Sequence, residues 1–162
     1  MTARLEKTLY MLIGPKGSGK TYIGTLVGKN TDILFLRVEN IWLNLTDNEN
    51  GWEKVEQEID MLFKNRDKIM IENLGAGECF NQFYASLNKK YLIKLIRVRT
   101  DLDSCLVRVL KRDNENHIPV SDDKVIEYNE IASQVNLDWD IEIDNNEPAS
   151  DSEILTAIES LQ

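Results

Sequence analysis

The sequence predicts an α/β protein, doubly wound in three layers, with a five-stranded parallel sheet between helices. Two observations carry that expectation. Short apolar runs alternate with longer segments of helical period, and no internal repeat or Pro/Gly/Ser-rich linker breaks the alternation. The composition agrees: 162 residues, 42% hydrophobic and 29% charged, suit a single domain over residues 1–162 with a sizeable core.

The first apolar run, Leu9 to Ile13, reads as a strand, and Ile23, Leu26 and Val27 follow it at helical spacing. Ile33 to Leu36 is the second strand, and Trp52, Val55, Ile59 and Leu62 mark the next helix. Ile69 to Ile71 is the third strand, followed by the stripe Phe80, Phe83, Tyr84, Leu87. Tyr91 to Val98 is the fourth, leading to Leu102, Leu106, Val109 and Leu110. A further helix from about Ser121 carries Val125, Tyr128, Ala132 and Val135 on one face, before the short fifth strand Trp139 to Ile143. Thr100 with Asp103 and Ser150 with Glu153 read as capping boxes that satisfy first-turn amides. Such alternation builds a parallel sheet covered on both faces, with ligands at the carboxyl ends of its strands.

Lys and Arg total 19 against 28 for Asp and Glu, so the net charge of -9 and pI of about 4.7 disfavour passive capture of nucleic acid or anionic lipid. Any anionic ligand must meet a local positive site. The first ten residues lack an apolar stretch of signal-peptide length and no later run approaches the length of a bilayer span, which reads as a cytoplasmic protein without a membrane partner. Cys79 and Cys105 are too few for a disulfide framework and are expected as buried small hydrophobes. His117 is the only histidine, which excludes a multi-histidine metal centre, and it is expected as a loop residue. Metal chemistry would use oxygen ligands.

Gly14-Pro15-Lys16-Gly17-Ser18-Gly19-Lys20-Thr21 fits G-x-x-x-x-G-K-[ST], directly after the first strand and opening the first helix. Glycines at this spacing let backbone amides curl around phosphates, Lys20 reaches the terminal phosphates, and the Thr21 hydroxyl holds magnesium. The amino end of the helix adds partial positive charge, so an acidic protein makes an anion site here. ATP with Mg2+ is the expected pair, with GTP left open. Glu72, the acid closing the third strand, is a candidate to hold the metal through water.

With this loop so early in a chain of one domain, the sequence resembles the small P-loop kinases of the shikimate kinase and adenylate kinase group. The resemblance implies the P-loop NTPase fold and an ATP-dependent kinase moving the γ-phosphoryl group to an alcohol. It places Glu39, after the second strand, as the acid that accepts the substrate hydroxyl's proton or orients magnesium. Gly75 and Gly77 stand where shikimate kinases carry a glycine triplet. Arg108 and Arg112, four apart and so on one helix face, match arginines that close over the nucleotide, with a lid-like segment at about 112–121. Asn145, after the last strand, matches the adenine-side loop.

The resemblance does not carry shikimate with it. The arginines that grip that substrate are replaced by Glu53 and by Lys124, and a glutamate would repel a carboxylate. The expected partner is therefore ATP and another small hydroxyl-bearing metabolite. His117-Ile118-Pro119-Val120 also resembles nucleotide and polynucleotide 5′-hydroxyl kinases, against which stand the negative charge and the lack of a basic stripe with interleaved aromatics. A nucleoside or nucleotide kinase, and a non-kinase ATP-binding module or NTPase, stay open. The joint presence of Lys20, Thr21, Glu39 and the Arg108/Arg112 pair favours an enzyme.

Overall fold

Strand β1 (Thr8–Ile13) lies at the centre of the sheet in the computed structural model, which describes residues 7–111 and 121–162. Its neighbours are β3 (Lys68–Asn73) and β4 (Leu92–Arg99), both parallel, with Thr8 level with Lys68 and Leu92 and Ile13 level with Asn73 and Arg97. The edge strands are β2 (Leu34–Phe35) beside β3 and β5 (Ile141–Asp144) beside β4, giving the order β2-β3-β1-β4-β5. A parallel strand covered on both faces must be apolar throughout, which explains why Leu9 to Ile13 is an unbroken hydrophobic run.

Alternate residues of β1 serve the two faces. Leu9, Met11 and Ile13 pack with Val55 and Ile59 of α3 (Gly51–Leu62) and with Phe80, Phe83 and Leu87 of α4 (Glu78–Asn88). Tyr10 and Leu12 pack with Ile23 and Val27 of α1 (Lys20–Asn30) and with Ile154 and Ile158 of α7 (Asp151–Glu159). α1 connects β1 leftward to β2, and every later crossover runs the other way. Right-handed connections therefore place α1 on one face and α3 and α4 on the opposite one. That reversal opens a crevice at the carboxyl ends of β1 and β3, where the glycine-rich loop lies.

All five expected strands are present. β2 is shorter than its apolar run, because only Leu34 and Phe35 pair with β3 before Arg37 becomes the cap of a short helix, α2 (Val38–Leu43). A two-residue edge strand offers little to a foreign strand. α2 is too brief to register as a period in the sequence. α3 begins where the Asn50 side chain accepts from the Trp52 and Glu53 amides at 2.9 and 3.3 Å. It is tied to α4 and β4 by Lys90, 2.7 Å from both Glu56 and Asp60, with Ser86 donating to Glu56 and Tyr91 to Asp60.

The Ser150–Glu153 capping box forms in both directions. The Thr100 box does not. Asp101 accepts from the Ser104 amide at 2.8 Å, while the Thr100 hydroxyl donates to the Ser18 carbonyl instead. α5 (Leu102–Lys111) and α6 (Asp122–Ser133) pack on each other more than on the sheet, so their stripes are less covered than expected. In α5 Cys105 is the buried residue and Leu110 is exposed. Among the described side chains of α6 the buried positions are Val125, Asn129 and Ala132, and Tyr128 is partly exposed. Cys79, in the first turn of α4, is exposed rather than buried. Arg112, His117 and the expected lid at 112–120 lie outside the described residues. Among those described, no helix is long and apolar enough to cross a membrane.

Candidate functional site

The loop between β1 and α1 turns through two left-handed glycines, Gly17 at φ 85° and Gly19 at φ 103°. A side chain at either would also collide with its surroundings: a Cβ on Gly17 would lie 2.3 Å from the Cys105 carbonyl oxygen, and one on Gly19 at 2.3 Å from the Asn145 amide nitrogen. The spacing of the motif is thus required both by backbone conformation and by what packs behind the loop.

Lys20 opens α1 and is nearly buried, its Nζ folded back to the carbonyls of Gly14 at 2.5 Å and Pro15 at 2.9 Å. Burial pulls its pKa down to about 8, opposed chiefly by the nearby charge of Glu72. Thr21 donates its hydroxyl to both Glu72 carboxylate oxygens, at 2.9 and 3.2 Å. Glu72 projects from the end of β3 and is itself buried. Burial pushes its carboxyl up, Lys20 and Thr21 act against that, and a hydrogen-bonded Glu39 adds to it. Glu39, on the first turn of α2, is equally buried. Lys20, Thr21, Glu39 and Glu72 therefore converge, although they come from three separate stretches of chain.

Two carboxyls facing one another in a buried site repel unless a proton or a cation lies between them. With the Thr21 hydroxyl they form a hard-oxygen donor set that fits Mg2+, which commonly takes one or two protein carboxylates and completes its shell with phosphate and water. Among the described residues there is no cluster of three or more His, Cys, Asp or Glu side chains able to cage a metal unaided. The site suits a metal that arrives with its phosphate.

The loop is braced from outside by residues distant in sequence. Asn129, 2% exposed on α6, accepts from the Lys16 amide at 2.8 Å and donates to the Lys16 carbonyl at 2.9 Å. Asn145 donates to the Ser18 carbonyl at 2.7 Å and accepts from the Ala149 amide at 2.9 Å, so both ends of its side chain hold backbone. The Arg108 guanidinium donates to Gly17 and Ser18 carbonyls at 3.3 and 3.4 Å and to those of Asn145 and Asn146 at 2.8 and 3.1 Å. It joins the loop to the β5–α7 connection. Ser18 is wholly buried, and its hydroxyl has no hydrogen-bond partner among the described residues.

These groups occupy one end of a cavity of about 680 Å³. Lys16, Gly17, Gly19, Lys20, Thr21 and Arg108 line the loop end, and Glu39, Glu72 and Asn73 stand beside them. The rest of the lining is largely aromatic and aliphatic, with Val38, Trp42, Trp52 and Leu74, and α6 adds Tyr128 and the cation Lys124. A cavity of this size suits a nucleotide's phosphates plus a small molecule.

Of the residues singled out from sequence, Lys16, Gly17, Gly19, Lys20 and Thr21 of the loop, Glu39, Glu72 and Arg108 meet here, while Gly14, Pro15 and Ser18 do not line the cavity. Asn145 lies behind the loop, with its amide turned to the Ser18 carbonyl. Sequence reasoning missed Asn129, whose signal was present: a polar residue standing at i+4 from Val125 and i−3 from Ala132, on the buried stripe of α6. It also missed Trp42 as a cavity wall, because α2 itself was not foreseen.

No family model matches the chain, and no curated protein matches it by sequence. Solved structures do. A sugar kinase from Janibacter sp. superposes with a TM-score of 0.64 at 17% identity, covering 94% of this chain and 95% of that one. The shikimate kinase of Acinetobacter baumannii, in complex with shikimate, gives 0.61 at 16% identity over 98% and 94%. The APS kinase of Mycobacterium tuberculosis, in complex with AMPPNP and APS, gives 0.63 at 14% identity over 97% and 98%. At these identities the likeness is one of fold. The chain has the fold of the small P-loop kinases.

Proposed function

We propose that the protein is an ATP-dependent phosphotransferase that moves the γ-phosphoryl group to a hydroxyl of a small molecule. The observation that carries this reading is the convergence of Lys20, Thr21, Glu39 and Glu72 at the junction between the two ends of one cavity. Kinases of the same fold with bound AMPPNP or bound acceptor support it.

The loop amides and Lys20 would hold the phosphates, the ammonium exchanging the Gly14 and Pro15 carbonyls for phosphate oxygens. Thr21 and Glu72, with Glu39 beside them, would hold Mg2+, which neutralises charge on the β- and γ-phosphates when bound. Glu39 would orient the acceptor hydroxyl and receive its proton. As the acceptor oxygen bonds to the γ-phosphorus, the bond to the bridging oxygen breaks and its electron pair leaves with ADP. Phosphoryl transfer asks mostly for positioning and charge compensation, and a carboxylate at the acceptor with cations at the phosphates supplies both. Arg108, at the cavity wall, acts by holding the Gly17 and Ser18 carbonyls turned away from the phosphates. Asn145 has the same part, with neighbouring backbone left to contact the base. Arg112 would close over the nucleotide in a lid at 112–121.

A second reading, an ATP-binding module or slow NTPase, draws on one observation: among the described residues, the acceptors that the Arg108 guanidinium meets are neutral oxygens of the chain. The two readings separate in an assay with γ-labelled ATP, Mg2+ and a panel of nucleosides, sugars, sugar acids and shikimate. A labelled organic product that is lost in Glu39→Gln, with MgATP still bound, supports the kinase. Release of inorganic phosphate alone, unchanged by Glu39→Gln, supports the module.

A further inference from the structure

The half of the cavity beyond Glu39 narrows the class of acceptor, on the reading that the site is a kinase. Its walls are two indoles at right angles, Trp42 and Trp52, with ring centroids 5.8 Å apart and an interplanar angle of 85°. Both rings are fixed by what lies behind them. Trp52 rests on Phe80 and Phe83, at 6.5 and 5.2 Å. Trp42 lies directly on the backbone of Gly51, where a Cβ would come within 2.3 Å of the indole. The absence of a side chain at 51 is what lets the ring lie flat against α3.

Glu39 and Trp42 stand three apart on α2 and so share a face, and both line the cavity. An alcohol whose oxygen reaches Glu39 must lay the rest of its body along Trp42. Val38 and Leu74 continue that apolar surface, and among the described residues the one arginine lining the cavity is Arg108, whose guanidinium is bonded to the loop carbonyls. Lys124, on α6, also lines the cavity, its ammonium 6.0 Å from the Tyr128 ring centre. A sugar can lay only a C–H face on an indole, and any hydroxyl or carboxylate turned toward the ring without a partner loses its water uncompensated. A flat π-system gains on the same surface, by stacking and by removal of apolar area from water.

We propose that the acceptor is an alcohol carried on a flat aromatic or heteroaromatic body, a nucleoside being the natural type, with its ring against Trp42 and Trp52 and its hydroxyl at Glu39. The transfer balances as above: the acceptor oxygen gains the γ-phosphoryl group, its proton passes to Glu39, and ADP leaves.

Calorimetric titration of the full chain tests this, with AMPPNP and Mg2+ present to fill the nucleotide end. Uridine and thymidine serve as aromatic probes, chosen as pyrimidines so that they do not compete for an adenine site, against glucose, gluconate and shikimate. At least one pyrimidine nucleoside should bind tenfold or more tightly than any of the three others. Trp42→Ala should weaken that binding about tenfold, in keeping with base–aromatic stacking, while Trp42→Phe keeps most of it and shows that the fold is intact. Tighter binding of glucose, gluconate or shikimate overturns the proposal, as does failure of both nucleosides to bind with or without AMPPNP. Transfer from γ-labelled ATP to the bound probe is measured in parallel. A nucleoside that binds through Trp42 and is never phosphorylated leaves the aromatic site standing and removes the kinase reading instead.

Discussion

The two ends of the cavity are held by different forces. At the loop end, polar side chains from three distant elements fix the backbone by hydrogen bonds: Asn129 on α6, Arg108 on α5 and Asn145 after β5. At the far end Trp42, Trp52, Phe80 and Phe83 hold one another by ring packing. The difference follows from what each end must do. Phosphate is recognised by amides at fixed angles, which a backbone free to move would lose. An apolar acceptor body is recognised by shape, which side-chain packing sets and single substitutions can reshape. Glu39 and Glu72 lie at the seam between them, one on α2 with Trp42, the other on β3 facing Thr21.

The largest effect should come from that seam. Glu39→Gln keeps size and burial but cannot take a proton, and transfer should fall by about 10²–10⁴-fold while MgATP titrates as in the parent protein. An equal loss of nucleotide binding would place Glu39 at the loop end only. Next is the brace behind the loop. Asn129→Ala removes the two hydrogen bonds to the part-buried Lys16 amide and carbonyl, at about 1 kcal/mol each, read as a lowered Tm. The KM for ATP should rise several-fold, with little change in that for the acceptor. A lowered Tm with both KM values unchanged would show that the brace serves stability alone.

The third test uses pH. Burial brings Lys20 to about 8, and phosphate requires its charged form, so affinity for MgATP should fall as pH rises through about 8. Lys20→Arg, charged throughout, should bind more weakly at neutral pH and lose that slope. In the free protein the same shift has the opposite sign. Between about 8 and the ordinary value of 10.5 the unfolded chain holds a proton that the folded one has released, so stability from this group rises with pH. The smallest effect lies away from both ends. Ser150→Ala removes half of the α7 capping box and should cost about 1 kcal/mol in denaturant unfolding, with both KM values unmoved.

How much of this was legible depended on distance along the chain. The loop was readable because its eight residues are consecutive and their conformational needs are local. The strands were readable because full burial demands unbroken apolar runs, and even β2 was placed, though its pairing ends early at the cap of α2. The acids were located by position after their strands, but their meeting with Thr21 depends on the sheet order, which places β3 beside β1. What stayed hidden was carried by short or long-range features. α2 has six residues, too few for periodicity, so Trp42 had no face to be assigned to. Tyr128 and Asn129 exchange expected places because α6 turns its polar Asn inward to the loop, a preference set by Lys16, 113 residues away. Asp101 caps α5 because Thr100 is drawn to the Ser18 carbonyl.

The most direct measurement is the fate of the γ-phosphoryl group in a single turnover with labelled ATP, Mg2+ and an alcohol shown to bind at Trp42. The account predicts label in the organic product, little in inorganic phosphate, and neither in Glu39→Gln. Label released only as inorganic phosphate, at the same rate with and without the alcohol and in Glu39→Gln, would contradict it.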